Sequence, residues 1–165
     1  MSADARPNSA PVRFTLNREP VSAPVDPDRM LLDLLRTEFG LTAPKYGCGL
    51  AQCGACTVLV NGAPARACVM RMRMVEGADV TTLEGLADPE TGALHPVQQG
   101  FRDCDGAQCG YCLNGMIMTA VALLDAQPNP DEAEVRQALR HNLCRCGTHT
   151  EIIASVRRAA ELMGS

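Results

Sequence analysis

Tryptophan is absent, and two Tyr and three Phe are the only aromatics in 165 residues. Aromatic side chains dominate the energetics of many cores, so a chain this poor in them is a weak candidate for two small domains unless metals or partners assist. A basic stripe is missing too. Lys and Arg total 15 against 19 Asp and Glu, for a net charge of −4. Arg71 with Arg73 and Arg157 with Arg158 are only short pairs, which argues against nucleic acid as a partner. No apolar run approaches the ~20 residues that span a bilayer, so direct membrane insertion is not expected. The first 15 residues, MSADARPNSAPVRFT, hold no apolar stretch, and neither a Sec-type signal nor an N-terminal anchor is expected. The expected location is cytoplasmic, with co-export on a partner's twin-arginine signal as the alternative.

Cysteine, in contrast, is plentiful. There are nine, an odd number, and in a reducing compartment clustered thiols point to metal or redox chemistry rather than to a disulfide scaffold. They fall into two groups: Cys48, Cys53, Cys56 and Cys68, then Cys104, Cys109, Cys112, Cys144 and Cys146. Two sets of four ligands leave one cysteine over.

The apolar pattern changes period along the chain. Residues 11–25 read as two extended runs around Asn17-Arg18-Glu19, and TVLVNGAPARACV reads as a hairpin about Asn61-Gly62. Between them, Asp28 precedes RMLLDLLRTEF, whose Met30, Leu31, Leu34 and Leu35 share a face and which Gly40 follows, the pattern of a capped amphipathic helix. Alternation of Met70, Met72 and Met74 with Arg71 and Arg73 suggests a half-buried strand, and residues 79–83 suggest another. A boundary is expected near Asp88-Pro89-Glu90-Thr91-Gly92. Beyond it the period is helical: Leu113, Met116, Ile117, Ala120, Val121 and Leu124, then Val135, Ala138, Leu139 and Leu143, then Ile152, Ile153, Val156, Ala160 and Met163. With a shorter helix over roughly 96–104 this makes four. The fold class expected is α+β, a β-grasp-like domain over 10–87 followed by a four-helix domain over 88–165.

The run from Gly47 to Cys56 has the C-x4-C-x2-C spacing of plant-type [2Fe–2S] ferredoxins, with Cys68 as a distant fourth ligand. A loop that wraps a cluster closely needs unusual φ and exposed N–H groups, which suits Gly47, Gly49 and Gly54. Four thiolates also suit structural zinc, but zinc sites favour paired CxxC units over a three-cysteine glycine loop. Cys109-x2-Cys112, opening one helix, and Cys144-x-Cys146, closing another, can supply a second set. Cys104 lies in register to join it, but its place in a helix end without flanking glycines favours a free thiol. His95, His141 and His149 lack the C-x-H pairs of a Rieske centre and read as caps or solvated side chains.

KYGCGLAQCGACTVLVNG, TTLEGL, HPVQQGF, QCGYCLNGMIM and NLCRCGTH, in this order, closely resemble the iron–sulfur subunit of the molybdenum hydroxylases, the xanthine oxidase family, over roughly residues 12–163. The resemblance implies a plant-ferredoxin-like domain with one [2Fe–2S] cluster on Cys48, Cys53, Cys56 and Cys68. It implies a helical domain with a second on Cys109, Cys112, Cys144 and Cys146. It also places Gln108 and Cys146 near a molybdopterin, in its cytosine dinucleotide form, held by a large catalytic subunit. CLNGMIM and CRCGTHTEI depart from the commoner CTPGM and CRCTGY forms and look most like small subunits of nicotinate dehydrogenase and of relatives that oxidise N-heterocycles or aldehydes. In that subgroup a cytochrome c domain often replaces a flavin subunit, so haem c or FAD elsewhere in the complex is the implied acceptor. The expected function is electron transfer inside an oxidoreductase, with no activity from this chain alone. A stand-alone ferredoxin is the rival reading, disfavoured by the helix-wrapped second set, and a zinc-stabilised interaction module is another.

Overall fold

The computed structural model describes residues 11–164; residues 10 and 165, the outer limits expected for the two domains, lie outside the described residues. Strands β1 (Val12–Leu16) and β2 (Glu19–Ala23) form the first hairpin. Asn17 and Arg18 both take positive φ at its turn, the backbone that matches the twist of a two-residue hairpin. Helix α1 (Leu31–Thr37) follows, then β3 (Thr57–Val60), β4 (Ala63–Arg66) and β5 (Asp79–Thr81). The sheet order is β2-β1-β5-β3-β4, with β1 and β5 parallel and the other pairs antiparallel. This is the β-grasp arrangement expected. Asn61-Gly62 forms the β3–β4 turn with positive φ at both residues.

Side chains alternate across β3, and the two faces meet different cores. Val58 joins Val12, Phe14, Leu16, Val80 and the apolar face of α1. Leu59 points the other way, into a cluster with Met116, Ile117, Val121 and Leu124. These belong to α3 (Leu113–Ala126), which packs with α2 (Pro96–Asp103), α4 (Glu132–Leu139) and α5 (His149–Met163). The sheet is therefore covered by α1 on one face and by the helical unit on the other. Two helices carry reciprocal capping boxes, His95 with Gln98 on α2 and Asp131 with Glu134 on α4, and each satisfies N–H groups a helix start leaves orphaned.

Four local expectations fail. Asp28 does not cap α1; Met30 holds that position and no side chain caps it. The Leu31 and Leu32 N–H groups instead bond the carbonyls of Met70 and Ala67 at 2.8 and 3.0 Å, while Asp28 pairs with Arg71 and Arg73. The methionine alternation is a 3₁₀ turn over Met72–Met74, not a strand. Its Met72 and Arg73 N–H groups bond Arg29 and Pro27 ahead of α1, so no sheet neighbour claims them. Leu143 does not continue the face of α4; that helix ends at Leu139 and Leu143 is 62% exposed. Met163, at the end of the α5 stripe, is likewise on the surface.

Candidate metal centres

Cys56 immediately precedes β3 and Cys68 lies two residues past β4, so the hairpin folds the two together, with the Ala67 N–H on the Cys56 carbonyl at 3.3 Å. The start of α1 braces the far side of Cys68 through the Ala67 and Met70 carbonyls. Both thiols are buried. Burial pushes the Cys56 thiol up to about 12, and contact with Cys68 adds to this. Cys48 is the opposite case. The N–H of Leu50, then those of Cys53 and Gln52, donate to its sulfur at 3.3, 3.4 and 3.3 Å and bring it down to about 7, against the desolvation that raises it. The Cys48 N–H donates in turn to the Cys53 sulfur at 3.3 Å. Gly47 serves by close approach rather than by unusual φ, since a Cβ there would stand 2.6 Å from the Cys53 sulfur. Gly54 does take positive φ.

Cys109 and Cys112 lie in the turn that opens α3, with Cys112 at its N-cap. Cys144 and Cys146 do not close a helix as expected; they sit in the loop between α4 and α5. The thiols meet in pairs, Cys109 with Cys146 and Cys112 with Cys144. Burial pushes the Cys112 thiol up to about 12, with Cys144 contributing. Burial also raises Cys144, but the Thr148 hydroxyl and the backbone of Thr148 and Gly147 outweigh it and bring Cys144 down to about 7. The Tyr111 backbone lowers Cys109, and although the Cys109 backbone pulls Cys146 down, the Cys109 thiol leaves Cys146 raised. Gln108 and Cys109 are exposed, beside exposed Tyr111 and Leu143.

The thiols therefore meet as four pairs, Cys48/Cys53 and Cys56/Cys68 in the first group and Cys109/Cys146 and Cys112/Cys144 in the second. A two-iron cluster takes two thiolates per iron and accepts N–H hydrogen bonds at sulfur, and both features are present. Buried thiols that resist ionisation alone become stable thiolates when a cation supplies the opposing charge. The residues fit two [2Fe–2S] groups.

The two sets share a wall. A cavity of about 160 Å³ is lined by Gly47, Cys48, Cys53 and Ala55 from the first loop and by Cys109, Cys112 and Cys144 from the second. The Leu143 N–H donates to the Cys53 carbonyl at 3.0 Å, so a cysteine of the first group lies one hydrogen bond from the residue next to Cys144. Asn114, fully buried, sends its amide N–H groups to the carbonyls of Ala55 and Thr57 at 3.0 and 2.8 Å. Those carbonyls flank Cys56, and Asn114 is two residues past Cys112. Two acceptors facing the amide require its NH₂ end there. Gly54 packs against the Asn142 amide, which is itself tied to the Thr119 hydroxyl, and Arg66 reaches the His141 carbonyl at 3.1 Å. Tyr111 donates its hydroxyl to the Tyr46 carbonyl.

Sequence reasoning passed over Asn114, Asn142 and Thr148. Asn114 had a signal, a polar residue inside the apolar run LNGMIM, where burial demands hydrogen-bond partners. Cys104 stands apart, at the C-cap of α2 with its N–H on the Gly100 carbonyl. His95 is a cap, its Nδ1 accepting from the Val97 N–H at 3.2 Å. His141 and His149 are exposed.

Residues 14–87 match the family described as "2Fe-2S iron-sulfur cluster binding domain", and residues 82–157 match "[2Fe-2S] binding domain". One subunit of the nicotinate dehydrogenase of Pseudomonas putida is 53% identical over 150 residues, covering 91% of this chain and 94% of that one. The alpha chain of the isoquinoline 1-oxidoreductase of Brevundimonas diminuta is 44% identical, covering 91% and 97%. Among solved structures, quinoline 2-oxidoreductase of Pseudomonas putida superposes with a TM-score of 0.86 at 38% identity, over 92% of this chain and 93% of that one. The aldehyde oxidoreductase of Desulfovibrio desulfuricans superposes with a TM-score of 0.89 at 39% identity, over 94% of this chain but 17% of that longer one. Two iron–sulfur domain matches in this order, and identities of 53% and 44% over nearly the whole length of subunits of such enzymes, place the chain among the iron–sulfur subunits of the molybdenum hydroxylases, the xanthine oxidase family.

Proposed function

We propose that this chain conducts electrons from a molybdopterin site on a large catalytic subunit, through centres ligated by Cys109, Cys112, Cys144 and Cys146 and by Cys48, Cys53, Cys56 and Cys68, to an external acceptor. The observation that carries this reading is the hydrogen bond from the Leu143 N–H to the Cys53 carbonyl, which joins the two ligand loops directly. Bound [2Fe–2S] clusters supply reversible one-electron storage. The chain's own residues hold the sulfurs in pairs, shield Cys56 and Cys112 from water, and direct N–H groups at Cys48 and Cys144. The surface around Gln108, Cys109, Tyr111, Leu143 and Cys146 is the face offered to the large subunit, with Gln108 and Cys146 nearest the pterin in its cytosine dinucleotide form. The domains divide at 87/88.

An N-heterocycle of the nicotinate type is the favoured substrate, since the nicotinate relative is 53% identical while the aldehyde oxidoreductases of Escherichia coli and Megalodesulfovibrio gigas are 38% and 42% identical. The acceptor is a cytochrome c domain or a flavin subunit, and the complex resides in the cytoplasm. Among the described residues no helix is long and apolar enough to cross a membrane.

The test is co-purification with the large subunit. Brown protein with about four irons and four sulfides per chain, and two EPR signals after reduction, supports the reading. Both signals appear on anaerobic addition of nicotinate and neither on addition of an aldehyde. Colourless zinc-loaded protein, or a single EPR centre, refutes it.

A further inference from the structure

We propose that Thr148 tunes the second iron–sulfur centre through Cys144, its hydroxyl donating to the ligand sulfur and making that centre easier to reduce. This rests on the reading of Cys109, Cys112, Cys144 and Cys146 as cluster ligands.

The hydroxyl lies 3.4 Å from the Cys144 sulfur, and the residue is 7% exposed. Thr148 occupies the N-cap of α5, where a threonine hydroxyl ordinarily accepts from the second or third helical N–H. It makes no such bond. Its carbonyl makes the ordinary first helical bond, accepting the Ile152 N–H at 3.0 Å, and its hydroxyl is turned to the sulfur instead of to the helix.

The direction of the hydrogen bond follows from ligation. A free thiol and a hydroxyl can each donate, but a metal-bound sulfur carries no proton, and only the Thr148 hydroxyl then remains as donor. Each electron taken up adds negative charge to the cluster and its sulfurs. A donor aimed at sulfur stabilises the reduced form more than the oxidised one, which raises the potential. The effect falls on a cysteine next to Leu143, whose N–H reaches the Cys53 carbonyl of the first loop.

The experiment is a redox titration of the holo complex by EPR, with each centre followed by its own signal. Thr148→Val keeps the shape and removes the hydroxyl; Thr148→Ser keeps the hydroxyl. The Val variant is expected to lower the equilibrium constant for reducing the second centre about tenfold, which is 59 mV for one electron. The first centre stays unmoved, and the Ser variant remains within about twofold of the parent. An unshifted Val variant overturns the proposal. So does a Ser variant shifted as far as Val, or a shift shared by both centres. Thr148→Ala is the second apolar variant. Loss of the second centre's iron in both Val and Ala assigns Thr148 a purely structural role and also overturns the tuning. A parent complex with only one EPR centre reports a different failure, that of the ligand assignment itself.

Discussion

Replacing Asn114 by leucine removes two hydrogen bonds from a position that water does not reach. The amide donates to Ala55 at 3.0 Å and Thr57 at 2.8 Å from a fully buried side chain. The Ala55 carbonyl keeps the Lys45 N–H at 3.0 Å, so its loss falls near the lower end of the range for a buried acceptor, about 1 kcal/mol. The Thr57 carbonyl loses its link to α3, worth up to about 3 kcal/mol. Relief comes from the Asn114 Oδ1, which has no partner and whose removal returns about 1 kcal/mol. The net cost is about 2 to 3 kcal/mol, against total stabilities of about 5 to 15 kcal/mol for whole domains. Expressed locally, it favours opening of the junction beside Cys56 by about 30- to 140-fold.

The assay is iron release from the holo complex to a strong chelator, read as loss of visible absorbance. The first centre is expected to be stripped faster by that factor while the second lags. Asn114→Asp, which sets a carboxylate against two carbonyl oxygens, should be worse than leucine. Release rates within about threefold of the parent for leucine, or aspartate better tolerated than leucine, would contradict this account of the junction.

Other substitutions probe separate contacts. A Cβ at Gly115 would strike the Gly54 carbonyl, which is backbone and cannot swing aside; Gly115→Ala should therefore separate the two loops and lower the yield of complex with both centres, measured as iron per chain. Cys104→Ser should retain all iron, because Cys104 caps the C-terminal end of α2 and takes no part in the cavity that the two thiol groups share; loss of half the iron would make it a ligand. His95 is held neutral by burial, with Asp125 opposing weakly, so its pKa lies below the ordinary 6.5. Its contribution to stability is then complete above about pH 6.5, and it declines as pH falls from there through the depressed folded value, where Nδ1 can no longer accept from Val97. Thermal denaturation of the complex between pH 7 and 5 should show this slope, and His95→Asn should reduce it.

Elements whose partners are close in sequence were legible. The two hairpins follow from turn residues able to take positive φ at Asn17-Arg18 and Asn61-Gly62. The helices of the second half follow from an apolar period that survives burial. Three of the failures share a cause, which is that distant backbone decided them. The N–H groups at the start of α1 are met by Ala67 and Met70, so Asp28 is released to Arg71 and Arg73. Residues 70–74 alternate like a strand but turn, because their N–H groups meet the segment ahead of α1. Leu143 fits a helical stripe by spacing, yet its N–H is needed by the Cys53 carbonyl and its side chain stays outside.

The order of residues was enough for the two groups of thiols, the β-grasp and helical halves, and the family, since ligand spacing and side-chain period are local properties of a chain. Folding had to bring distant segments together before three further features existed: which sulfurs pair, the reach of Asn114 to carbonyls 59 and 57 residues away, and the turn of the Thr148 hydroxyl from its helix to Cys144. A polar group buried by packing must take whatever partner the fold brings to it, and spacing along the chain does not specify that partner.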